Sequence, residues 1–149
     1  MAGINSTGGL HHLIYQRLQA VVPQLQDIHE HGKSVVPGYM DLNLDVLERG
    51  SNRTVIALSH YYRHPSGDMI ADPDMVVAVY PDKAMAEALS YQDIFGYREV
   101  YSHGGSLVDV RAKRDQNQFL KTWLGNLIEQ GHRIELETVD AVAAGGEDA

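Results

Sequence analysis

Apolar residues recur along this chain with two different periods, and the change of period separates helices from strands. Near the N-terminus, five apolar side chains follow one another at spacings of three and four, which predicts one buried helical stripe: Leu10, Leu13, Ile14, Leu18 and Val21. Ser6 or Thr7 is suited to cap this helix, because a hydroxyl can accept from a free backbone N–H of the first turn. Pro23 has no backbone N–H, so we expect the helix to end near Val22.

After a Gly- and Pro-containing connection at residues 27–39, the period becomes two, as expected of β-strands. Leu42, Leu44 and Val46 alternate with other positions, and a run rich in β-branched and aromatic residues follows at 54–62. A third run, MVVAVY at 75–80, is almost continuously apolar, which indicates burial on both faces. Short turns between these runs predict a three-strand antiparallel meander.

The next segments predict a short helix and one more strand. Asp82 can cap a helix over residues 83–91, where Met85 and Leu89 lie four residues apart. Residues 97–101 alternate in polarity and predict a fourth strand.

The last helix has the strongest pattern. Asp115 with Gln118 three residues on resembles a capping box, and Gly131 is suited to end the helix. Six apolar residues form a wide stripe along it: Phe119, Leu120, Trp123, Leu124, Leu127 and Ile128. We expect Trp123 and Leu127, in the middle of this stripe, to be buried against the sheet.

These elements predict an α+β domain in the order α-β-β-β-α-β-α. Its mainly antiparallel sheet would consist of the three-strand meander plus a fourth strand, with the helices packed on one face. A chain of 149 residues that is 44% hydrophobic suits one core. We expect a flexible N-terminus at 1–9, a single domain at 10–137 and a disordered acidic tail at 138–149.

Composition narrows the classes of function. The net charge of −8 disfavours a primary role in gripping nucleic-acid phosphates, which requires a basic face. The chain has no cysteine, which excludes disulfides, thiolate metal sites and a Cys nucleophile. The N-terminal segment lacks the features of a signal peptide, and no apolar run reaches the length of a membrane span. These features predict a soluble cytoplasmic protein without membrane contact.

Two segments resemble a known family. The string PDMVVAVYPDKAMAEALSYQDIFGYREVY at 73–101 and the later string DQNQFLKTWLGNLIEQGH at 115–132 are similar to the YqiB-like family of small bacterial proteins. The first helix, ending in LQAVVP, fits as well, so the resemblance covers about residues 10–133. Because that family has no established activity, the resemblance implies an uncharacterised bacterial protein and assigns no site residues.

The richest group of polar side chains lies in HYYRHPSGDMIADPDM, residues 60–75. A three-residue turn at 65–67, with Gly67 in a left-handed conformation, would place His60 opposite Asp72. Five side chains would then share one face as candidate ligand-binding residues: His60, Tyr62, His64, Asp68 and Asp72. An imidazole beside a carboxylate has its charged form favoured, which suits acid or base chemistry.

Two other interpretations of this hairpin stay open. A turn shifted by one residue would place Arg63 opposite Asp68, as an ordinary surface ion pair. Alternatively, the polar residues mark only the turn, and Pro73 marks the place where the strand ladder is interrupted.

The sequence assigns no catalytic residue, metal or cofactor. Along an extended strand His60 and His64 lie about 13 Å apart, too far to share one ion, and each has one Asp partner, fewer than the three protein ligands of catalytic zinc sites. His29 and His31 form a second pair that lies in a connection. The phosphate-binding, dinucleotide-binding and nucleophile-elbow motifs are absent from the sequence.

The pattern favours a cytoplasmic accessory or regulatory protein that binds a protein partner or a small ligand. A homodimer is one form that the partner can take. The first alternative is a hydrolytic or lyase-type enzyme that uses the His–Asp pair of the hairpin. The second is a nucleic-acid contact through a loop at 111–114, which carries Arg111, Lys113 and Arg114 but is opposed by the acidic net charge.

Overall fold

The computed structural model describes residues 2–63 and 65–136, and the side chains from residue 9 onward. Two long helices, α1 (Ala2–Val21) and α2 (Val110–Gln130), lie at the two ends of this part of the chain. Between them lie eight strands: β1 (His31–Ser34), β2 (Leu42–Arg49), β3 (Thr54–Arg63), β4 (Met69–Tyr80), β5 (Met85–Asp93), β6 (Gly96–Glu99), β7 (Tyr101–Ser102) and β8 (Leu107–Val108).

The strands β1 to β6 form one sheet in the order in which they occur in the sequence, and every neighbouring pair is antiparallel. The strands β7 and β8 form a separate two-stranded hairpin. The α+β class and the mainly antiparallel sheet are therefore confirmed. The predicted element order is wrong, because the meander has six strands instead of three.

The main cause of this error is the segment 83–91, most of which belongs to strand β5 and not to a helix. Its Met, Ala, Glu and Leu residues favour helices, but helix propensity is a weak preference that tertiary pairing overrides. Here β5 pairs with β4 along most of its length and with β6 at its end. The predicted connection at 27–39 also contains a short strand, β1.

The helix ends show which local signals act. The first helix begins at Ala2, before the predicted cap at Ser6 or Thr7, and ends at Val21, two residues before Pro23 as expected. The last helix ends at Gly131, which has a left-handed conformation with φ 92°, as predicted.

The predicted N-terminus of the last helix is wrong, because the cap is Asp109 and not Asp115. The Asp109 carboxylate accepts the Ala112 N–H at 2.9 Å and makes two-pronged hydrogen bonds with the Arg98 guanidinium of β6. The hydrogen bond from the Ala112 N–H lowers the pKa of Asp109, and the hydrogen bonds from Arg98 lower it further. The basic residues 111–114 therefore lie in the first turns of α2 and not in a loop.

The hydrophobic core lies between the two helices and one face of the sheet. Trp123 is 7% exposed and Leu127 is fully buried, which confirms their prediction. Phe119 and Ile128 lie at the borders of the stripe and are 38% and 39% exposed. The largest fully buried side chains come from both helices, from the three strands β2, β3 and β4, and from the segment after α2: Ile14, Leu18, Val21, Leu42, Leu44, Ile56, Leu58, Met75, Leu120, Leu124, Leu127 and Ile134.

The segment that follows α2 is part of this core. Ile134 is fully buried, and its N–H donates to the Val21 carbonyl at 2.7 Å. A Cβ on Gly32 would lie 2.5 Å from Ile134 Cγ2, so β1 accommodates this segment only because residue 32 has no side chain. The tail predicted at 138–149 lies outside the described residues.

The two faces of the sheet differ in what covers them. Alternate positions such as Ile56, Met75 and Ala88 point into the core beneath the helices. The intervening positions, such as Val76, Tyr80 and Glu87, point to the opposite face. The helices α1 and α2 pack on the first face, and no helix of the described chain is long and apolar enough to cross a membrane.

Candidate functional site

The β3–β4 hairpin forms at the predicted turn. Tyr62 lies opposite Ile70 and Arg63 opposite Met69, as expected of a turn centred on residues 65–67. Gly67 has a φ of 98°, which glycine adopts without steric cost. The register next to the turn is therefore confirmed.

Further from the turn the predicted register is wrong. Tyr61 lies opposite Ala71, but Ser59 lies opposite Asp74, so one residue of β3, His60, faces the two β4 residues 72 and 73. Pro73 has no N–H to give to the ladder, which favours a bulge at this point. No hydrogen bond or ion pair joins His60 to Asp72 in the described structure, and the predicted His–Asp pair is not formed.

His60 instead belongs to the core beneath α2. It is 9% exposed, and its Nδ1 lies 2.8 Å from the Asp41 carbonyl oxygen. Its ring packs edge to face on Trp123, with 5.4 Å between ring centroids, and lies 5.9 Å from the ring of His132.

His132 completes this buried group. Its Nδ1 lies 2.9 Å from Ser34 Oγ, which already accepts the Arg133 N–H at 3.0 Å. The Ser34 hydroxyl can therefore donate its proton to a neutral ring. Burial lowers the pKa of His132, and nearby His60 lowers it further, although the Met40 carbonyl and Asp41 act in the opposite direction. His132 is therefore packed as a neutral imidazole at physiological pH.

Among the described candidates of the hairpin, Tyr62, Asp68 and Asp72 do not converge on His60. Tyr62 and Asp72 are half-buried, and Asp68 is an exposed turn residue 3.2 Å from Ser66 Oγ. His64 lies outside the described residues. The alternative in which Arg63 pairs with Asp68 is not observed either, because Arg63 donates to the Gly67 carbonyl at 3.1 Å. The structure therefore does not assemble the four described candidates, His60, Tyr62, Asp68 and Asp72, into one site.

A cleft lies on the face of the sheet opposite the one on which α1 and α2 pack. It encloses about 600 Å³ between β4, β5, β6 and the β7–β8 hairpin. Eleven residues line it: Arg53, Val76, Tyr80, Glu87, Leu89, Ser90, Tyr97, Glu99, Tyr101, Gly104 and Gly105. None of them belongs to the predicted site, and we call this feature the open-face cleft.

Two tyrosine hydroxyls hold the carboxylate of Glu87 in this cleft. Tyr80 lies at the end of β4 and donates to Glu87 Oε2 at 2.8 Å. Tyr101, from β7, donates to Oε1 at 2.6 Å. All three side chains are half-buried, so the carboxylate is fixed in orientation while part of its surface stays open.

Burial sets the protonation state of these tyrosines. It raises the pKa of Tyr101, and the hydrogen bond to Glu87 raises it further. Burial also raises the pKa of Tyr80, and the hydrogen bond to Glu87 raises it further, whereas Arg53 lowers it. Both side chains are therefore neutral hydroxyl donors at physiological pH, and neither is activated as a nucleophile.

Charged groups lie at both ends of the cleft. The Arg53 Nε lies 3.5 Å from a carboxylate oxygen of Glu48, and its hydrogen bond with Tyr80 is the largest of the effects that raise its pKa. At the β6 side, Tyr97 Oη lies 3.4 Å from Glu99 Oε2. The cleft thus presents acceptors, neutral donors and aromatic rings, which suits the binding of a small polar ligand.

Sequence reasoning missed this cleft because it assigned Glu87 to a helix. A helix at 83–91 gives no reason to expect Glu87 next to Tyr80 of β4 and Tyr101 of β7. A usable signal was the alternation at 86–90, where small residues, Ala86, Ala88 and Ser90, occur at every second position. Small residues at alternate positions suit a strand in close contact with its neighbours.

The other candidates for metal or anion binding are the remaining histidines and the basic residues of α2. Across residues 2–63 and 65–136, no group of three or more His, Asp or Glu side chains could hold a metal ion. Arg114 pairs with its neighbour Asp115 at 3.2 Å, and Lys113 lies over the ring of Tyr101. The predicted nucleic-acid contact at 111–114 stays untested.

Comparison with known proteins gives one match. Neither the curated proteins nor the solved structures contain a significant match to this chain. No comparison links the chain to the YqiB-like family, so that resemblance stays a prediction. The profile of one family, described as a domain of unknown function, matches residues 14–133 and therefore most of the chain, including the end of α1, the whole sheet and α2. The chain belongs to this family, Domain of unknown function (DUF6908).

Proposed function

We propose that this protein is a non-enzymatic cytoplasmic accessory or regulatory module that binds a small organic ligand in the open-face cleft. One observation carries the proposal: the Glu87 carboxylate is held by Tyr80 and Tyr101 in a cavity of about 600 Å³. Ligand sites in proteins are typically cavities of about 300 to 1,000 Å³ with a few oriented polar groups. The cleft fits this description.

The groups in the cleft favour binding over turnover. A general base works best when its pKa is near the operating pH, and a nucleophile needs an activating partner. The raised pKa values of Tyr80 and Tyr101 keep both hydroxyls protonated. They also commit their protons to Glu87, so the cluster is a fixed hydrogen-bonding frame.

The proposal can be tested by a thermal-shift screen of the purified protein against small metabolites of negative, neutral and positive charge. A compound that binds the native state raises its melting temperature. We expect at least one class of compound to do so in the wild type and in Glu129→Gln, and to do so much less in Glu87→Gln. Glu129 is an exposed residue of α2 and serves as a matched control.

Two results would contradict the proposal. One is a screen in which no class of compound raises the melting temperature of the wild type. The other is a ligand-induced shift of equal size in the wild type and in Glu87→Gln, which would place the ligand elsewhere. Tyr101→Phe provides a second variant, because it removes one hydrogen bond to Glu87 and leaves the ring in place.

A protein partner is the second candidate, and one observation favours it. The turn between β5 and β6 exposes Phe95 by 90% and Ile94 by 52%. Asp93 Oδ1 accepts the N–H groups of Phe95 and Gly96 at 2.8 and 3.2 Å, so the turn is held in shape. Exposed aromatic side chains are typical anchors of protein interfaces. A homodimer formed through this turn would dissociate in Phe95→Ser, as measured by light scattering.

A further inference from the structure

The charge balance of the open-face cleft restricts the kind of ligand that it can hold. Glu87 and Glu99 both line the cleft, and neither takes part in any of the ion pairs found in the described structure. Among the described lining residues the cationic side chain is Arg53, which is paired with Glu48 and hydrogen-bonded to Tyr80. The two carboxylates therefore face the cavity without a cationic partner from the lining.

Fixing one of these charges has an electrostatic consequence. Glu87 is half-buried, and its hydrogen bonds come from neutral hydroxyls, which orient the carboxylate without cancelling its charge. A partly desolvated charge interacts more strongly with an opposite charge than it would in bulk water. A cation that enters the cleft would therefore be attracted to the Glu87 carboxylate.

Aromatic rings make up much of the rest of the lining. Tyr80, Tyr97 and Tyr101 come from three different strands, and Tyr97 is 60% exposed at the rim. A cation within about 6 Å of a ring centroid is attracted by the ring quadrupole. The protein already uses this interaction, because Lys113 Nζ lies 5.6 Å from the centroid of the Tyr101 ring.

We infer that the ligand of the open-face cleft carries an organic ammonium group, which Glu87 and Glu99 neutralise and the tyrosine rings partly enclose. This inference rests on the proposed function of the cleft as a ligand site. It adds the chemical class of the ligand, namely an alkylated amine.

The same contacts disfavour two other classes of ligand. A bare divalent cation such as Ca²⁺ requires six to eight oxygen ligands, whereas both oxygens of Glu87 are already engaged by tyrosine hydroxyls. An anion would meet two carboxylates and an arginine that is already paired. The net charge of −8 would also repel an anion and attract a cation before contact.

The test uses choline and its uncharged isostere 3,3-dimethyl-1-butanol as probes. Both have the same shape, and only choline carries a charge. Calorimetric titration of the full chain at low salt should show choline binding, and binding of the isostere that is about tenfold weaker or absent. Inorganic phosphate serves as the anionic probe and should not bind.

Substitutions in the cleft test whether choline binds there. Glu87→Gln keeps the shape of the side chain and removes its charge, so choline should bind about tenfold more weakly, while Glu129→Gln should bind it as the wild type does. Glu99→Gln and Tyr97→Leu alter exposed side chains outside the hydrophobic core. Each should weaken choline binding even if Glu87→Gln does not fold.

The outcomes separate this inference from the proposed function. Choline binding that all three cleft variants leave unchanged would overturn the inference, as would equal binding of the isostere. A neutral or anionic compound that binds in a Glu87-dependent way would overturn the ammonium inference and preserve the ligand site. If choline fails to bind and no compound in the wider screen binds, both proposals are wrong.

Discussion

Two groups of polar side chains, one on each face of the sheet, illustrate what makes a polar cluster available to a ligand. The pair His60 and His132 lies beneath α2, where the surrounding protein supplies hydrogen-bond partners and an aromatic neighbour. The Glu87 group lies on the uncovered face beside a cavity of about 600 Å³. Polar residues under a helix are used by the protein itself, whereas those on an open face remain accessible to a ligand.

The largest expected effect concerns the core beneath α2. Trp123 is 7% exposed and packs against His60. Trp123→Ala should therefore lower the free energy of unfolding by about 3 to 5 kcal/mol, as measured by urea denaturation. Phe119→Ala, at a position that is 38% exposed in the same helix, is the control and should cost clearly less. Equal losses at the two positions would contradict the assignment of Trp123 to the core.

A second change tests how the segment after α2 closes the covered side. Gly32→Ala would place a Cβ 2.5 Å from Ile134 Cγ2, so the free energy of unfolding should fall by about 1 to 3 kcal/mol. Gly9→Ala is the matched control, because nothing lies within 4 Å of its added methyl group and alanine favours a helix. If Gly32→Ala were as stable as the wild type, Ile134 would not be packed against β1 as described.

The pH dependence of stability tests whether the buried histidines are neutral in the folded protein. The pKa of His132 is lowered in the folded protein relative to its usual value of 6.5, so the unfolded chain binds a proton more readily. Stability should be fully present above pH 6.5 and should fall as the pH drops below that value. The burial of His11 lowers its pKa as well and acts in the same direction.

His132→Gln isolates the contribution of His132 to this pH dependence. The difference in unfolding free energy between pH 7.5 and pH 5.5 should be smaller in His132→Gln than in the wild type. His31→Gln alters an exposed histidine at the start of β1 and should keep the wild-type difference. An unchanged pH dependence in His132→Gln would mean that His132 is not the buried neutral group described.

The smallest expected effect concerns the open face. Tyr101→Phe removes the 2.6 Å hydrogen bond to Glu87 and should cost about 0.5 to 1.5 kcal/mol of unfolding free energy. Tyr97→Phe is the control, because Tyr97 is exposed and its contact with Glu99 is 3.4 Å long. A loss in Tyr101→Phe as large as that of Trp123→Ala would show that the Glu87 group holds the fold together instead of serving a ligand.

The sequence by itself determined the elements whose signal is local and repeated. The stripe through Trp123 and Leu127, the stop at Gly131 and the turn at Gly67 were all predictable. In each case one short stretch contains the cause, which is helical periodicity or the freedom of glycine to adopt a positive φ. Strands β2 and β3 were also predictable from local signals, namely the alternation at 42–46 and the β-branched and aromatic residues at 54–62.

Tertiary structure alone decided where distant residues meet. The strand at 85–93 exists because β4 and β6 supply its hydrogen-bonding partners, against the helix propensity of its residues. The bulge opposite His60 separates the predicted His–Asp pair, although the turn itself forms as expected. Glu87 and Tyr101 lie together because the sheet and the β7–β8 hairpin bring β5 and β7 close to each other. Periodicity reports which way a side chain points along its own element, and it carries no information about which other element that side chain will face.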